Sequence, residues 1–185
     1  MQTLTGKLLI AMPGMDDPRF ERSVVFLCEH SAKGAMGLIV NKPTPEVDGG
    51  ELLKQLGIEV DPGVSLPDIH FGGPVEHGRG FVLHSRDYTT NTSTLPVTEG
   101  VGMTATLDIL QDIAAGRGPE SAILALGYAG WGPGQLEGEL QANGWLTAEG
   151  GTDIVFNPQD SAKWNQALKS LGIEALALSA EAGRA

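Results

Sequence analysis

The feature that most constrains this chain is a segment, residues 23–30, that is apolar on both of its faces. Side chains alternate between faces along a strand, which places Val24 and Phe26 on one side and Val25 and Leu27 on the other. A strand that is apolar on both sides needs cover on both sides. The segment therefore predicts a central strand with further layers packed against each face.

The segment that follows predicts a hairpin. Residues 31–35 form a compact turn, and residues 36–41 read as the returning strand, which Pro43 and Pro45 end because proline cannot donate to a ladder. Further strands are predicted at residues 7–12, 69–71, 80–85, 95–98, 102–105, 121–126, 145–147 and 154–156, with a loop at 75–79. Helices are predicted after Asp48, over residues 107–115, after Pro133 and Gly134, and from Asn157 and Pro158 onward.

In the first part of the chain the predicted strands follow one another, and helices appear between strands only later. This order favours an α+β domain over a doubly wound α/β domain. No shift in composition marks a boundary. We therefore expect a single domain over residues 1–185, with a mostly antiparallel or mixed central sheet flanked by a few helices. Residues 172–185 are small and polar, and we expect this tail to fray.

Charge and composition exclude several classes of function. The 12 Lys and Arg residues against 23 Asp and Glu residues give a net charge of −11, which repels phosphate backbones and argues against direct nucleic-acid binding. No apolar run is long enough for a membrane helix, and no secretory signal is evident, so we expect a cytoplasmic protein without a membrane role. A single cysteine excludes an internal disulfide framework.

Five segments together resemble one known family. They are GKLLIAMP (residues 6–13), FERSVVFL (20–27), MGLIVNKP (36–43), FGGPV (71–75) and GYAGWG (127–132). In combination they resemble the bacterial AlgH/YqgE family, and the resemblance covers residues 4–171. It implies a cytoplasmic α+β domain without an agreed enzymatic activity. The family is often labelled a transcriptional regulator, a label that rests on genetic association and carries over no catalytic residue.

The most unusual segment is glycine-rich and aromatic, at residues 127–134. It follows a buried strand and leads into a helix start, where free N–H groups and partial positive charge are available. A recognition patch for a small ligand or a peptide would consist of Tyr128, Gly130, Trp131, Gln135 and Glu139. The alternative is that Trp131 packs in the core and that the glycines allow strand and helix to approach closely.

Cys28 and His30 are two residues apart on a strand, so alternation predicts that their side chains share one face. A cysteine–histidine nucleophile pair is one interpretation. The other is that Cys28 packs as a small hydrophobic residue. A hydrolase that uses Cys28 and His30, or a histidine site, is therefore an alternative to a binding function.

A second group of candidates surrounds a glycine-rich stretch. Gly72, Gly73, His77 and Arg79 belong to a loop that either cradles an anion or makes a tight turn between strands, and Arg22 is expected to pair with an acidic group or to converge with them. His70, His77 and His84 recur every seven residues, but their spacing matches no zinc motif, so no metal site is predicted. No phosphate-loop or dinucleotide fingerprint is present, and we expect no cofactor.

These observations favour a non-enzymatic regulatory or binding module that acts through a protein partner or a small ligand. The hydrolase remains the first alternative. Direct binding of nucleic acid, as a transcriptional regulator, is the second, although no basic stripe or recognition helix supports it.

Overall fold

The computed structural model describes residues 3–13, 17–88 and 93–173, and its backbone is built around one long sheet. The tail predicted to fray lies outside the described residues from position 174 onward. The strands are β1 (Lys7–Ala11), β2 (Val24–Ser31), β3 (Gly34–Ile39), β4 (Ile69–Phe71), β5 (Val75–His84), β6 (Thr94–Pro96), β7 (Gly102–Thr104), β8 (Ala122–Trp131) and β9 (Trp145–Glu149). The helices are α1 (Gly49–Gln55), α2 (Leu107–Ala114), α3 (Gln135–Gln141), α4 (Thr152–Val155) and α5 (Asp160–Ser170), with a short 3-10 helix at Pro18–Phe20.

The sheet is mixed, and its strand order is β6-β7-β5-β8-β3-β2-β1-β9. All neighbours along this path are antiparallel, whereas β4 pairs with β8 in parallel. The predicted α+β class with a mostly antiparallel or mixed sheet is confirmed. The first and last strands of the sequence order also meet, because β1 pairs with β9 from Lys7 opposite Glu149 to Ala11 opposite Trp145.

The doubly apolar strand is central, as its pattern predicts. β2 lies between β1 and β3, and its residues Val24 to Leu27 are fully buried. Val24 and Phe26 pack in one core cluster, which we call the inner face, and Val25 and Leu27 pack in another, the outer face. The hairpin of β2 and β3 is also confirmed, with Phe26 opposite Leu38.

Helices cover both faces of the sheet. On the inner face, α4 and α5 contribute Ile154, Trp164 and Leu168 to the core around Phe26. The outer face is covered by α3 at the β1–β2–β3 end, through Leu136, and by α1 and α2 over a separate cluster. The members of that cluster include Leu53, Ile69, Val82, Ile109, Ile113 and Leu124. The inner face beyond α4 and α5 carries no helix among the described residues, and the candidate site lies there.

Two strands are longer than the sequence predicts. β8 continues beyond residue 126 to Trp131, because its second half pairs with β3, Gly130 lying opposite Met36. β5 begins at Val75, within the predicted loop, but its register against β8 shifts between Val75 and Gly80. The expected loop at residues 75–79 is therefore an irregular part of a strand, not a connection between strands.

Two predictions near the C-terminal end are wrong. The sequence predicts that residues 154–156 are extended, yet α4 spans Thr152–Val155 and buries Ile154 in the core. Tertiary packing here outweighs the preference of Ile154 and Val155 for strands. The last helix begins at Asp160, two residues later than the predicted first residue, Pro158. The Asn157 side chain instead accepts the Gln159 backbone N–H at 2.9 Å, which stabilises a turn that precedes the helix.

Membrane-spanning segments were sought among the helices of residues 3–13, 17–88 and 93–173. None of these helices has both the length and the apolar composition required to cross a bilayer.

Candidate functional site

A β-bulge separates the two residues of the predicted nucleophile pair. In the β2–β3 ladder Leu27 lies opposite Gly37 and Glu29 opposite Met36, so Cys28 is an extra residue without a partner. An inserted residue shifts the alternation of side chains along a strand. Cys28 packs in the inner core, whereas the ring of His30 reaches α3 on the outer face. The prediction that both side chains share one face therefore fails.

The hydrogen bonds of His30 occupy both of its ring nitrogens. The Leu4 backbone N–H donates to Nδ1 at 2.9 Å, so Nδ1 carries no proton and Nε2 donates to Glu137 Oε1 at 2.6 Å. This hydrogen bond from His30 lowers the pKa of Glu137 below its ordinary value. No ring nitrogen is left to accept a proton from a thiol while these bonds persist.

The thiol itself is poorly placed for nucleophilic chemistry. Cys28 is 1% exposed, and its Sγ lies 3.9 Å from the Phe26 carbonyl oxygen. Burial, with a smaller contribution from the charge of Glu29, raises the pKa of the thiol to about 12. Since the thiolate is the reactive form, these surroundings favour the packing interpretation.

An open groove of about 900 Å³ lies on the uncovered end of the inner face. We call it the inner groove. Its floor consists of Met36, Phe81, Met103 and Tyr128, and the rings of Phe81 and Tyr128 pack edge to face with centroids 5.8 Å apart. The other lining residues are Thr5, Cys28, Glu29, His30, Ser31, Lys33, Gly34, Ala35, Arg79, Leu95, Pro96, Gly130 and Trp131.

Three exposed charged residues border the inner groove: Glu29, Lys33 and Arg79. The Arg79 guanidinium carbon lies 5.0 Å from the centroid of the Phe81 ring, a cation–π arrangement, and Nη1 is 3.6 Å from Glu76 Oε2. The border therefore carries two cations and one anion, in a chain whose net charge is −11.

The predicted patch is divided between the two faces of β8. Tyr128 belongs to the inner groove, whereas the Trp131 side chain packs in the outer core and is 6% exposed. Gly130 and Trp131 each line both the inner groove and a cavity on the other side. The two aromatic side chains thus pack on different faces of β8, although Trp131 also lines the inner groove beside Tyr128.

Trp131, Gln135 and Glu139 do come together, in a second cavity of about 330 Å³ that we call the Glu139 cavity. One carboxylate oxygen, Oε1, accepts the indole N–H of Trp131 at 3.1 Å and that of Trp145 at 2.9 Å. The other oxygen, Oε2, accepts the Gln135 side-chain amide at 3.1 Å. The remaining lining residues are Asp17, Arg19, Phe20, Pro74, Val75 and Gly130.

The glycines of the predicted anion loop pack against a strand. A Cβ at Gly72 would lie 2.3 Å from the Gly127 carbonyl oxygen, and one at Gly73 would lie 2.0 Å from the Tyr128 carbonyl carbon. Only glycine permits this approach of the backbone to β8. At Gly72 and Gly73, between β4 and β5, the geometry matches the tight-turn interpretation, whereas His77 and Arg79 lie on β5 itself.

The basic candidates do not converge. His77 packs beside Phe71, with ring centroids 6.2 Å apart, and Arg79 lies at the border of the inner groove. Arg22 was expected to pair with an acidic group, but its guanidinium carbon lies 4.9 Å from the centroid of the Trp164 ring. Arg22 also has a positive φ of 54°, and its carbonyl accepts the Asn41 side-chain amide at 2.8 Å.

The histidines that recur every seven residues have separate partners. His70 lies on β4 and His84 on β5, and these strands pair with β8, not with each other. Within the described part of the chain, no group of three or more His, Cys, Asp or Glu side chains is arranged to hold a metal ion.

Sequence reasoning missed a buried cluster of charges between α5 and the sheet. Lys163 is fully buried, and its ammonium donates to the Val40 carbonyl at 2.6 Å and to Asp160 Oδ1 at 2.9 Å. Asp160 also accepts from Nε2 of His70 at 2.9 Å. Burial acts to raise the pKa of Asp160, but the bonds from His70 and Lys163 outweigh it and the pKa is lowered. The one sequence signal was a lysine among the apolar residues of α5.

A family profile and several relatives match this chain over nearly its whole length. The profile of the family described as DUF179, AlgH-like, matches residues 8–176. A UPF0301 protein of Ruegeria pomeroyi is 60% identical over 183 residues, covering 98% of this chain and 99% of the relative. A UPF0301 protein of Paracoccus denitrificans is 55% identical over 184 residues, covering 98% and 97%.

Solved structures show the same fold. The solution structure of the AlgH protein from Pseudomonas aeruginosa is 40% identical, covers 97% of both chains and superposes with a TM-score of 0.77. A crystal structure of a Corynebacterium diphtheriae protein is 20% identical, covers 91% of this chain and 87% of its own, and has a TM-score of 0.74, which supports the fold alone. On the match of the family profile and of these relatives, the chain belongs to the AlgH-like family.

Proposed function

We propose that the protein is a cytoplasmic, non-enzymatic binding module that acts through a protein partner, and that the inner groove receives a segment of this partner. The segment carries apolar side chains and an acidic residue. The observation that carries the proposal is the floor of Met36, Phe81, Met103 and Tyr128, which lies on a part of the inner face that α4 and α5 leave open.

The floor has the chemistry of a protein-recognition surface. Methionine side chains are flexible and polarizable, so they adapt to the shape of an apolar partner, and aromatic rings supply rigid contact area. Contiguous apolar surface in an open groove, bordered by charged side chains, is typical of an interaction site. The floor supplies both kinds of contact within one cavity of about 900 Å³.

The charges at the border favour an acidic residue in the partner segment. Lys33 and Arg79 outnumber Glu29 there, although the whole chain is strongly negative. An arginine guanidinium binds a carboxylate through two parallel hydrogen bonds, which fixes the register of a bound segment. Arg79 is exposed, and its weak contact with Glu76 at 3.6 Å can be exchanged for a partner carboxylate.

Site-specific photocrosslinking in cells tests this proposal. A benzoylphenylalanine at Leu95, in the wall of the groove, should capture a partner, whereas the same probe at Leu56, an exposed leucine on the far side of the sheet, should not. Mass spectrometry should map the crosslink to an apolar segment with an acidic residue. Arg79→Gln should reduce the yield, and Arg117→Gln, which removes the same charge outside the groove, should leave it unchanged.

Three results would contradict the proposal. The first is an absence of crosslinks from Leu95, and the second is an equal pattern of crosslinks from Leu95 and Leu56. The third is a crosslinked segment that is basic or wholly polar, since such a segment fits neither the apolar floor nor the cations at the border.

A further inference from the structure

The Glu139 cavity contains a carboxylate that is held in position by uncharged groups. Three N–H donors point at it, two from indoles and one from Gln135, and its two oxygens accept all three hydrogen bonds. None of the ion pairs among the described residues involves Glu139. Its negative charge is therefore oriented but not neutralised.

The remaining hydrogen-bonding capacity of Glu139 is on one oxygen. A carboxylate oxygen accepts about two hydrogen bonds. The two indoles use both positions of Oε1, whereas Oε2 accepts only from Gln135 at 3.1 Å. One further donor can therefore bind at Oε2, on the carboxylate that lines the cavity.

The other walls of the cavity suit a cation more than an anion. Phe20, Trp131 and Trp145 line it, with Phe20 edge-on to Trp145 at 5.7 Å and Trp131 edge-on to Trp145 at 6.1 Å. The Arg19 guanidinium carbon already lies 5.9 Å from the centroid of the Phe20 ring, a cation–π arrangement at the wall of this cavity. At the mouth, the positive charge of Arg19 is already paired with Asp17 at 2.6 Å, so the lining as a whole carries one unbalanced negative charge.

We infer that the Glu139 cavity is a binding site for the cationic side chain, lysine or arginine, of a polypeptide. The cavity of about 330 Å³ is at the small end of the size range of ligand sites, which suits a single side chain. The net charge of −11 attracts such a ligand from a distance. This site is a cavity separate from the inner groove, with which it shares Gly130 and Trp131.

The three tryptophans make the test specific. The indole N–H groups of Trp131 and Trp145 bind Glu139, whereas that of Trp164 donates to the Ala11 carbonyl at 2.9 Å, away from the cavity. Each indole gives its own ¹H–¹⁵N NMR signal. Titration with N-acetyl-lysine methylamide or N-acetyl-arginine methylamide should shift the first two signals with saturation and leave the third unchanged. The uncharged N-acetyl-norleucine methylamide should shift none of them.

Two substitutions on α3 test the role of the charge. Glu139→Gln keeps an acceptor for the indoles but removes the charge, and should weaken binding about tenfold. Glu59→Gln removes the same charge at an exposed position outside the cavity and should have no effect. Gln135→Glu alters an exposed side chain and adds a negative charge beside Oε2, so it should tighten binding of the cationic compounds. If Glu139→Gln does not fold, this variant still tests whether the affinity depends on charge in the cavity.

The inference is overturned by any of four results. These are an absence of shifts with both cationic compounds, equal shifts with norleucine, shifts of the Trp164 signal alone, and affinities that neither Glu139→Gln nor Gln135→Glu changes. Binding of the free diamine putrescine at least tenfold tighter than either blocked amino acid would assign the cavity to a small amine and would likewise overturn it.

Discussion

His84 shows how burial fixes the protonation state of a single residue. The ring is fully buried, and Nδ1 donates to the Ser85 carbonyl at 2.9 Å. The Thr104 hydroxyl donates to Nε2 at 2.8 Å, and Thr94 in turn donates to Thr104 at 2.8 Å. Burial lowers the pKa of His84 below 6.5, although the Ser85 carbonyl opposes the shift. The folded protein therefore holds a neutral imidazole.

This shift predicts a loss of stability as the pH falls through 6.5. In that range the unfolded chain binds a proton at His84 and the folded chain does not, so the free energy of unfolding decreases with decreasing pH. One proton limits the slope to about 1.4 kcal/mol per pH unit. Urea denaturation at several pH values should show a shallower dependence for His84→Gln than for the natural chain. Equal slopes for the two proteins would contradict the assignment.

At the scale of the element, α5 is tied to the sheet by charges as well as by apolar packing. The ammonium of Lys163 joins the helix to the end of β3 through Val40, and Asp160 joins it to β4 through His70. Burial lowers the pKa of Lys163, and the bond from Asp160 offsets this only in part. Each charged group depends on the others because none of them is well solvated.

Removal of one member of this cluster should destabilise the protein strongly. Lys163→Met leaves the Val40 carbonyl unpaired and Asp160 with one cation fewer, and should lower the free energy of unfolding by about 3 to 5 kcal/mol. Asp160→Asn should be similar, and the double variant should lose less than the sum of the two. Denaturant titrations measure all three. Additive losses would show that the two side chains do not act as a pair.

Most of the regular elements were predictable from the sequence, α4 excepted, but their irregularities were not. The two-sided apolar pattern of β2 identified a central strand, and Asp48 does cap α1, accepting the Glu51 N–H at 3.2 Å. The bulge at Cys28 leaves no local signal, because it arises from pairing with β3. The length of β8 likewise depends on partners that are distant in sequence.

For the candidate site, the residue types were predictable but their grouping was not. Trp131, Gln135 and Glu139 do share a cavity, because Gln135 and Glu139 are one turn apart on α3, directly after β8. Tyr128 belongs to the other face, since alternation continues along a strand that was expected to have ended. The burial of Lys163 was not predicted, because lysine is rarely buried. Its burial depends on the hydrogen bond to Val40, which is distant in sequence, and on the ion pair with Asp160.

For the molecule as a whole, Cys28 is a reporter of global unfolding. Its thiol is 1% exposed in the inner core, on a strand with a neighbour on each side, and α4 and α5 cover the same core cluster. A thiol reagent should therefore modify the native protein only through unfolding, at a rate proportional to the unfolded fraction. Lys163→Met should accelerate labelling by the factor that its loss of stability predicts. Rapid labelling at full native stability would instead reveal a local opening, and would revive the hydrolase alternative.

The pairing of β1 with β9 also bears on how this protein is made. The edge of β1 that faces away from β2 can pair fully with β9 only after residue 149 has been synthesised, because Lys7 lies opposite Glu149. A nascent chain on the ribosome therefore displays an unpaired, apolar strand for most of its translation, and such edges recruit other chains. Truncated products that end before β9 should aggregate or bind chaperones, whereas chains that include it can close the sheet.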